Sequence, residues 1–291
     1  MRKNKIYDCI TFFQENFITN IRFEILNKHV DFFIVCESIY DHRGKKKEIN
    51  FKLKNPHFKD KVRHIILRDP FPEKLNSWER QAFQREYIFN GIKDSHDEDY
   101  IMFSDPDEIP RPEELKNFIL KKKYAIFQQK CFNYKLNLLN KNETPWSGTR
   151  LTKRKFLKSF DYMRQKILKK NIKKWWKFNV ERNIQIIDDG GWHFNNLFSP
   201  EMISIKLKTF AHNEFAAEEF SNIEVIRKKI DQKKDLFNKD HKLERVDIDE
   251  TYPEYITQKM TELKKFIKSF DYMRQKILKK NIKKWWKFNV E

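Results

Sequence analysis

Short apolar runs alternate with segments of helical periodicity along the first part of the chain. Four of these runs are rich in aromatic and β-branched residues and are bounded by charged or polar positions, a pattern typical of buried strands. They span Ile6–Phe13, Asp31–Ser38, Val62–Leu67 and Tyr100–Phe103. Between them, apolar residues at helical spacing predict helices over Asn20–Lys28 and Trp78–Ile92. This alternation predicts an α/β fold, with a sheet flanked by helices.

The pattern is less regular after the fourth predicted strand. Tyr124–Leu139 predicts one long strand or two short ones, and Pro145–Arg150 has the composition of a turn. A short strand is predicted at Ile184–Ile187, and a loop with two glycines follows it over Asp188–Phe194. Pro200 begins another predicted helix. We therefore expect the sheet to gain strands from the second half of the chain.

Acidic side chains follow the predicted strand Tyr100–Phe103. Pro106 removes a ladder donor and takes the chain out of the sheet, so Asp105, Asp107 and Glu108 are expected on a loop at the carboxyl end of that strand. Open α/β sheets bind ligands at this end. Two carboxylates one residue apart suit a hard divalent cation that also binds substrate phosphates, although an acidic turn exposed to solvent gives the same pattern.

One 24-residue segment occurs twice, because residues 158–181 and 268–291 are identical. Each copy carries a net charge of +6, so the two supply +12 of the formal +19 of the chain. The pattern predicts an internal basic amphipathic unit at 158–181 and a duplicated basic helix appended to a domain of residues 1–267. Such a helix has either a solvated basic face or a face that contacts an anionic membrane surface peripherally.

Composition narrows the class of protein. With 291 residues, 39% of them hydrophobic, the chain can form a folded core. It has 5 glycines and neither a G-x-G-x-x-G nor a G-x-x-x-x-G-K motif. Cys9, Cys36 and Cys131 are widely spaced in apolar stretches, which fits reduced thiols. Since no segment approaches about 18 consecutive apolar residues, we expect a cytoplasmic protein, with membrane contact only through the basic units.

Several motifs, in this order along the chain, resemble glycosyltransferase family 17. They are Tyr7–Phe13 with Arg22, Val35–Ser38, Trp78 with Arg85, Ser104–Pro110, Gly191–His193, and Lys206 with His212. The resemblance implies a GT-A-like fold, with a nucleotide-sugar-binding mixed sheet flanked by helices. It also implies an inverting enzyme that uses Mn²⁺ or Mg²⁺ to move a sugar, N-acetylglucosamine in the family pattern, from a UDP-sugar to a hydroxyl of a glycan acceptor.

The resemblance also implies a metal site and a catalytic base. Asp105 and Asp107 are the expected ligands of the cation, and His212 is a rival third ligand. Asp188, Asp189 and His193 are the candidates for the base, because the two glycines of their loop permit close backbone approach to a sugar, and Asp189 is the expected one. His193 is the second catalytic candidate, as a base, a metal ligand or a donor to the diphosphate.

Five further residues are expected to contact the nucleotide sugar. Glu37 is expected at uracil or ribose, and Glu108 either binds ribose or braces the acidic loop. Arg22 and Arg85 offer guanidinium groups to the diphosphate, although each also has the spacing for an ion pair on its own helix. Trp192 offers a ring face to a sugar, or it is part of the core.

Two other functions fit parts of the pattern. A sugar nucleotidylyltransferase also binds phosphates through a metal ion, but the glycine-rich basic signature of that class is absent around Ile6–Asn16. A protein that binds RNA or DNA through the basic aromatic units is the alternative outside enzymes. Nucleic acid is the less expected partner, because +12 of the net charge of +19 lies in the two copies of the repeat.

Overall fold

The computed structural model describes residues 3–174, 180–209 and 213–271. His212 and residues 272–291, most of the second copy of the repeat, lie outside these ranges. Trp175 and Trp176 of the first copy also lie outside them. The prediction that His212 binds a metal ion and the prediction of an appended helix over 268–291 therefore stay predictions.

Eleven strands and eight α-helices make up the described part of the chain. The strands are β1 (Ile6–Phe12), β2 (Phe32–Ser38), β3 (Val62–Leu67), β4 (Tyr100–Ser104), β5 (Glu108–Pro110), β6 (Tyr124–Asn133), β7 (Leu138–Asn140), β8 (Trp146–Lys153), β9 (Ile184–Ile187), β10 (Gly191–Asn195) and β11 (Leu243–Arg245). The helices are α1 (Asn16–Leu26), α2 (Ser77–Tyr87), α3 (Pro112–Leu115), α4 (Phe160–Lys166), α5 (Pro200–Thr209), α6 (Glu218–Ser221), α7 (Ile223–Asp231) and α8 (Glu254–Asp271).

One mixed sheet connects all the strands. Its main path is β11-β7-β6-β8-β4-β1-β2-β3, and β9 and β10 also pair with β6 while β5 pairs with β10. The four strands β3, β2, β1 and β4 are parallel, whereas β8 is antiparallel to both β4 and β6. The predicted α/β sheet flanked by helices is confirmed, and its four N-terminal strands are those that the apolar runs predict.

Alternate side chains of β1 pack into two core layers, one on each face of the sheet. Ile10 and Phe12 belong to a cluster that packs under α1 and α8, and Tyr7 and Cys9 belong to a cluster on the other face that contains residues of α4. Because successive side chains of a strand point to opposite faces, a central strand covered on both sides must be apolar at nearly every position. This is why β1 and its neighbours are readable as continuous apolar runs.

The first copy of the repeat is part of this core, and the prediction that it forms one long helix is wrong. Ser159 caps α4, which ends at Lys166, and a short 3-10 turn follows over Lys169–Lys173. Phe160 and Met163 are both 0% exposed and pack against the sheet. The apolar face predicted for a membrane surface is therefore buried at these positions.

The prediction of a turn at Pro145–Arg150 is also wrong. From Trp146 onward it is the long strand β8, which lies between β4 and β6. Among the described helices, none combines the length and the apolar content needed to cross a membrane.

Candidate functional site

A cavity of about 610 Å³ lies at the carboxyl ends of β1 and β4. Thr11–Phe13 line it from the end of β1, and Asp105–Asp107 line it from the loop after β4. Helices α2, α4 and α5 supply basic and aromatic side chains, and β10 supplies His193. The cavity thus occupies the edge of the sheet at which open α/β folds bind ligands.

Asp107 and His193 face each other in this cavity. Asp107 Oδ1 lies 3.6 Å from His193 Nε2. The pairing of β5 with β10 brings them together, because His193 is opposite Glu108 in the register and the amide of Phe194 donates to the carbonyl of Asp107 at 2.9 Å. Burial raises the pKa of Asp107 above its usual range, although Coulombic interactions with His193 and Lys206 oppose this.

Asp105 lies on the same loop and is paired with Arg164 of α4. Its Oδ2 accepts from Arg164 Nη2 at 2.6 Å, and its side chain is 34% exposed. Burial alone would raise the pKa of Asp105, but the charges of Arg164 and Arg85 lower it below its usual value. Asp105 is therefore held as a carboxylate beside a fixed positive charge.

Glu108 braces the acidic loop from the interior and is not part of the cavity lining. It is fully buried, and its carboxylate accepts from Trp146 Nε1 at 2.7 Å and from Arg164 Nη1 at 2.9 Å. The amide of Asp105 also donates to it, at 3.2 Å. Of the two roles considered from the sequence, the structure supports bracing of the loop, and the ribose-binding role is wrong because both oxygens already have donors.

His193 is fixed by two neighbours that the sequence did not reveal. Its Nδ1 lies 3.6 Å from Cys131 Sγ, and its ring packs on Trp146 with the centroids 4.7 Å apart. Burial raises the pKa of the Cys131 thiol well above its usual range, so the thiol stays protonated at neutral pH. If Nδ1–H donates to this sulfur, the lone pair of Nε2 faces Asp107.

Two further basic side chains line the cavity. Arg85 is held by Asp161 at 2.7 Å and by Gln81 at 2.9 Å. Lys206 Nζ donates to the neutral amide oxygen of Asn196 at 3.0 Å, so that contact leaves its charge uncompensated. The prediction that Arg85 faces a diphosphate is consistent with this placement.

Arg22 and Trp192 are structural, and the predictions that they bind the donor are wrong. Arg22 is 0% exposed, and its guanidinium donates to both oxygens of Asp8, to Ser104 Oγ and to the carbonyl of Glu108. The guanidinium also donates to the carbonyl of Asp105 at 3.5 Å, so all five of its N–H groups have acceptors and none is left for a phosphate. Trp192 is 1% exposed, so its ring is part of the core and offers no face to a sugar.

Glu37 and Asp189 also lie away from the cavity lining. Glu37 is 0% exposed and accepts from Lys47 Nζ at 2.6 Å, His64 Nε2 at 3.1 Å and the amide of Asn50 at 2.7 Å. It fixes the segment after β2 rather than a uracil. Asp189 has a side chain that is 60% exposed and pairs with Arg111 at 2.8 Å. It lies in the turn before β10, so the prediction that it is the base of this site is not supported.

The glycine next to that turn also has a structural task. A Cβ on Gly191 would lie 2.2 Å from the carbonyl oxygen of Ile109, and its φ is +138°. The close approach predicted for a sugar is therefore an approach to the backbone of β5.

Three side chains that line the cavity were not identified from the sequence. Arg164 is in the repeat, where it looks like one of many surface cations, and Trp146 is in the segment taken for a turn. Glu143, which lines the cavity between β7 and β8, has no motif around it. Only the proximity created by the fold identifies them.

The residues present are compatible with a divalent cation at Asp107 and His193. Within the described residues, no group of three or more His, Cys, Asp or Glu side chains is arranged to hold a metal ion. A separation of 3.6 Å nevertheless lets both atoms ligate one ion, since ligand–ion distances are about 2.0–2.2 Å. A Mg²⁺ or Mn²⁺ ion usually takes its other ligands from water and substrate phosphates.

Residues 1–128 match the sequence model of glycosyltransferase family 17. The match confirms the predicted resemblance over β1 to the first half of β6. It includes Asp105 and Asp107 and ends before His193. Over this range the chain is similar to glycosyltransferases of that family. No curated protein matches the chain.

Solved structures are similar to this chain only at low identity. Glucosyl-3-phosphoglycerate synthase from Mycobacterium tuberculosis, in complex with Mn²⁺, UDP-glucose and phosphoglyceric acid, is 12% identical, with 87% of this chain and 91% of that chain covered and a TM-score of 0.37. HddC from Yersinia pseudotuberculosis is 12% identical, with 65% and 92% covered and a TM-score of 0.32. These values are too low to transfer a residue or a substrate.

Proposed function

We propose that this chain is an inverting, metal-dependent glycosyltransferase with a GT-A-like sheet. It would move a sugar, N-acetylglucosamine by the family resemblance, from a UDP-sugar to a hydroxyl of a glycan. The observation that carries the proposal is the pair Asp107 and His193, 3.6 Å apart, in a cavity that also holds Arg164 and Lys206. The family match over residues 1–128 supports the same reaction class.

The charges of the cavity support a role for a cation. Acidic and basic side chains are balanced in its lining, which contains Glu15, Asp105, Asp107, Glu143, Arg85, Arg164, Lys206 and Lys239. A nucleoside diphosphate brings further negative charge into this balanced cavity. A Mn²⁺ or Mg²⁺ ion held by Asp107 and His193 would supply compensating charge and act as a Lewis acid toward the departing diphosphate.

The side chains around that position have separable tasks. Arg164 holds Asp105 on the loop, and Lys206, which lines the same cavity, would contact the diphosphate as a point charge. Trp78, 44% exposed at the cavity, takes the place of Trp192 as the aromatic face for a sugar or a base.

Thermal-shift titration of UDP-N-acetylglucosamine and other UDP-sugars, with and without Mn²⁺, tests the proposal. We expect a Mn²⁺-dependent rise in Tm for the wild type that is lost in Asp107→Asn and in His193→Gln, because a ligand that binds only the folded state stabilises it. Asp189→Asn is the matched control and should keep the shift. If no UDP-sugar gives a Mn²⁺-dependent shift in the wild type, the proposal is wrong.

The products separate this reaction from that of a sugar nucleotidylyltransferase. A glycosyltransferase releases UDP from the donor, whereas a nucleotidylyltransferase exchanges pyrophosphate with it.

Contact of the basic units with an anionic membrane stays a prediction. It can be tested by sedimentation with phosphatidylserine vesicles, where we expect binding that weakens as salt is raised. An oligonucleotide retained equally well would favour the nucleic-acid alternative.

A further inference from the structure

We propose that Glu143 is the general base that takes the proton from the acceptor hydroxyl. This inference rests on the proposed function and names a residue that the family resemblance does not. Glu143 lines the same cavity as Asp107 and His193, and its side chain is 16% exposed. An inverting transfer needs a group of this kind on the side of the sugar away from the diphosphate.

Glu143 is separated from the proposed metal ligand by one side chain. Its Oε2 lies 3.8 Å from Cys131 Sγ, and the same sulfur lies 3.6 Å from His193 Nδ1. Asp107 is on the opposite edge of the imidazole, at Nε2. The carboxylate of Glu143 and the position proposed for the cation therefore flank His193 on its two sides, and Glu143, Asp107 and His193 all line the same cavity.

The other carboxylates of the cavity are already engaged. Glu15 Oε2 accepts from the amides of Phe13 and Gln14, each at 2.9 Å. Asp105 is paired with Arg164, and Asp107 faces His193. These contacts assign the three to the turn after β1, to the loop and to the cation respectively.

The contacts of Glu143 leave one oxygen able to accept a proton. Its Oε1 accepts from Lys239 Nζ at 2.8 Å, while the contact of Oε2 is to the weakly polar thiol of Cys131. The hydrogen bond with Glu143 raises the pKa of Lys239 above its usual value, so Lys239 stays an ammonium beside Oε1. A proton can then be transferred to Oε2.

The backbone around Glu143 is well fixed. Asn140 Oδ1 accepts from the amides of Asn142 and Glu143 at 3.1 and 3.2 Å. Thr144 Oγ1 donates to the carbonyl of Asn140 and accepts from the amide of Cys131, both at 2.9 Å. These hydrogen bonds fix the backbone of the turn between β7 and β8 that carries Glu143. A catalytic group requires such fixed positioning.

The transfer step balances with these groups. The acceptor O–H bond breaks as its proton passes to Glu143 Oε2, and the acceptor oxygen forms a bond to the anomeric carbon from the side opposite the leaving group. The bond from that carbon to the phosphate oxygen breaks, and its electron pair leaves with the diphosphate. Glu143 then returns the proton to water at the mouth of the cavity.

Glu143→Gln tests the assignment in the full-length protein. The readouts are UDP release from UDP-N-acetylglucosamine with Mn²⁺, with water or added methyl glycosides as acceptors, and the Kd of UDP with Mn²⁺. We expect kcat to fall by about 10²- to 10⁴-fold, because the base is lost, while the Kd for UDP changes by less than about twofold. Glu244→Gln is the control, since Glu244 is 51% exposed and pairs with Lys141 outside the cavity lining.

A second variant guards against a purely structural effect. In Glu143→Ala we expect added formate to restore part of the UDP release, which loss of folding would not allow. The assignment is wrong if Glu143→Gln keeps kcat within about threefold of the wild type, or if UDP affinity and kcat fall together. Failure of the wild type to bind UDP with Mn²⁺ would instead contradict the proposed function itself, and the assignment would fall with it.

Discussion

Arg164 of α4 joins the two acidic side chains that flank Pro106 and the start of β5, with Nη2 2.6 Å from Asp105 Oδ2 and Nη1 2.9 Å from Glu108 Oε2. Burial alone would lower the pKa of Arg164, but the charges of Asp105 and Glu108 raise it. The first copy of the repeat is therefore not a surface appendage. It contributes Phe160 to the core and a fixed cation to the cavity.

We expect Arg164→Met to lower the free energy of unfolding by about 3–5 kcal/mol, because it leaves the buried carboxylate of Glu108 without its charged partner. Urea denaturation measures the change. Arg164→Lys should recover only part of the loss, since an ammonium cannot reproduce the paired guanidinium bonds.

The repeat supplies a matched control for this variant. Arg274 occupies the position equivalent to Arg164 in the identical second copy, outside the described residues. Arg274→Met removes the same side chain from the same sequence context, and we expect it to change the free energy of unfolding by less than about 0.5 kcal/mol. Equal losses in both variants would show that the destabilisation of Arg164→Met does not come from the contacts with Asp105 and Glu108.

The sequence predicted those strands whose buried positions are filled by apolar residues. Strands β1, β2 and β4 are buried at nearly every position, and β3 is half-buried at the edge of the sheet, so their apolar runs were visible. Strand β8 was missed because Thr149, Arg150 and Thr152 are buried polar residues. Thr149 Oγ1 donates to the carbonyl of Glu108 at 2.9 Å, and Thr152 Oγ1 donates to that of Lys123 at 2.8 Å. Polar groups satisfied by distant partners give no local sign of a strand.

The site was predictable only where its chemistry is local. Asp105 and Asp107 form a short motif after an apolar strand, and the structure places both in the cavity. Glu37 also ends a strand, but the sequence does not show that Lys47 and His64 enclose it. Arg22 was taken for a phosphate ligand because the sequence does not show that its guanidinium is paired with Asp8 of the buried strand β1.

His42 predicts a pH dependence of stability. Burial lowers its pKa to about 4, although the hydrogen bond with Gln84 at 2.8 Å opposes the shift. Since the pKa of an unfolded histidine is about 6.5, the unfolded state binds the proton more tightly. The stabilisation is complete above about pH 6.5 and is lost as the pH falls toward 4, with a loss of about 2 kcal/mol between pH 7.5 and pH 5.

Urea unfolding of the wild type and of His42→Gln at these two pH values measures the effect. Glutamine keeps a hydrogen-bonding group beside Gln84 but does not titrate, so the variant should lose about 2 kcal/mol less than the wild type on acidification. Equal losses in the two proteins would show that His42 titrates with an ordinary pKa.

Cys131 is expected to act on the metal site through His193. With the thiol protonated and its sulfur 3.6 Å from Nδ1, the tautomer that carries a proton on Nδ1 leaves Nε2 free to ligate a cation beside Asp107. Partners that fix a ligating histidine are worth about 10- to 100-fold in metal affinity. We therefore expect Cys131→Ala to weaken Mn²⁺ binding in the presence of UDP by a factor in that range, and Cys131→Ser, which keeps an acceptor, to weaken it less.

Free Mn²⁺ measured by electron paramagnetic resonance in titrations with UDP gives this affinity directly. Cys9→Ala is the matched control, because Cys9 and Cys131 are both 0% exposed and the side chain of Cys9, a residue of β1, lies in the core. Both variants lose similar packing, so a similar fall in Tm is expected from the two. Only Cys131→Ala should change the Mn²⁺ affinity, and an unchanged affinity in that variant would mean that the sulfur does not set the tautomer of His193.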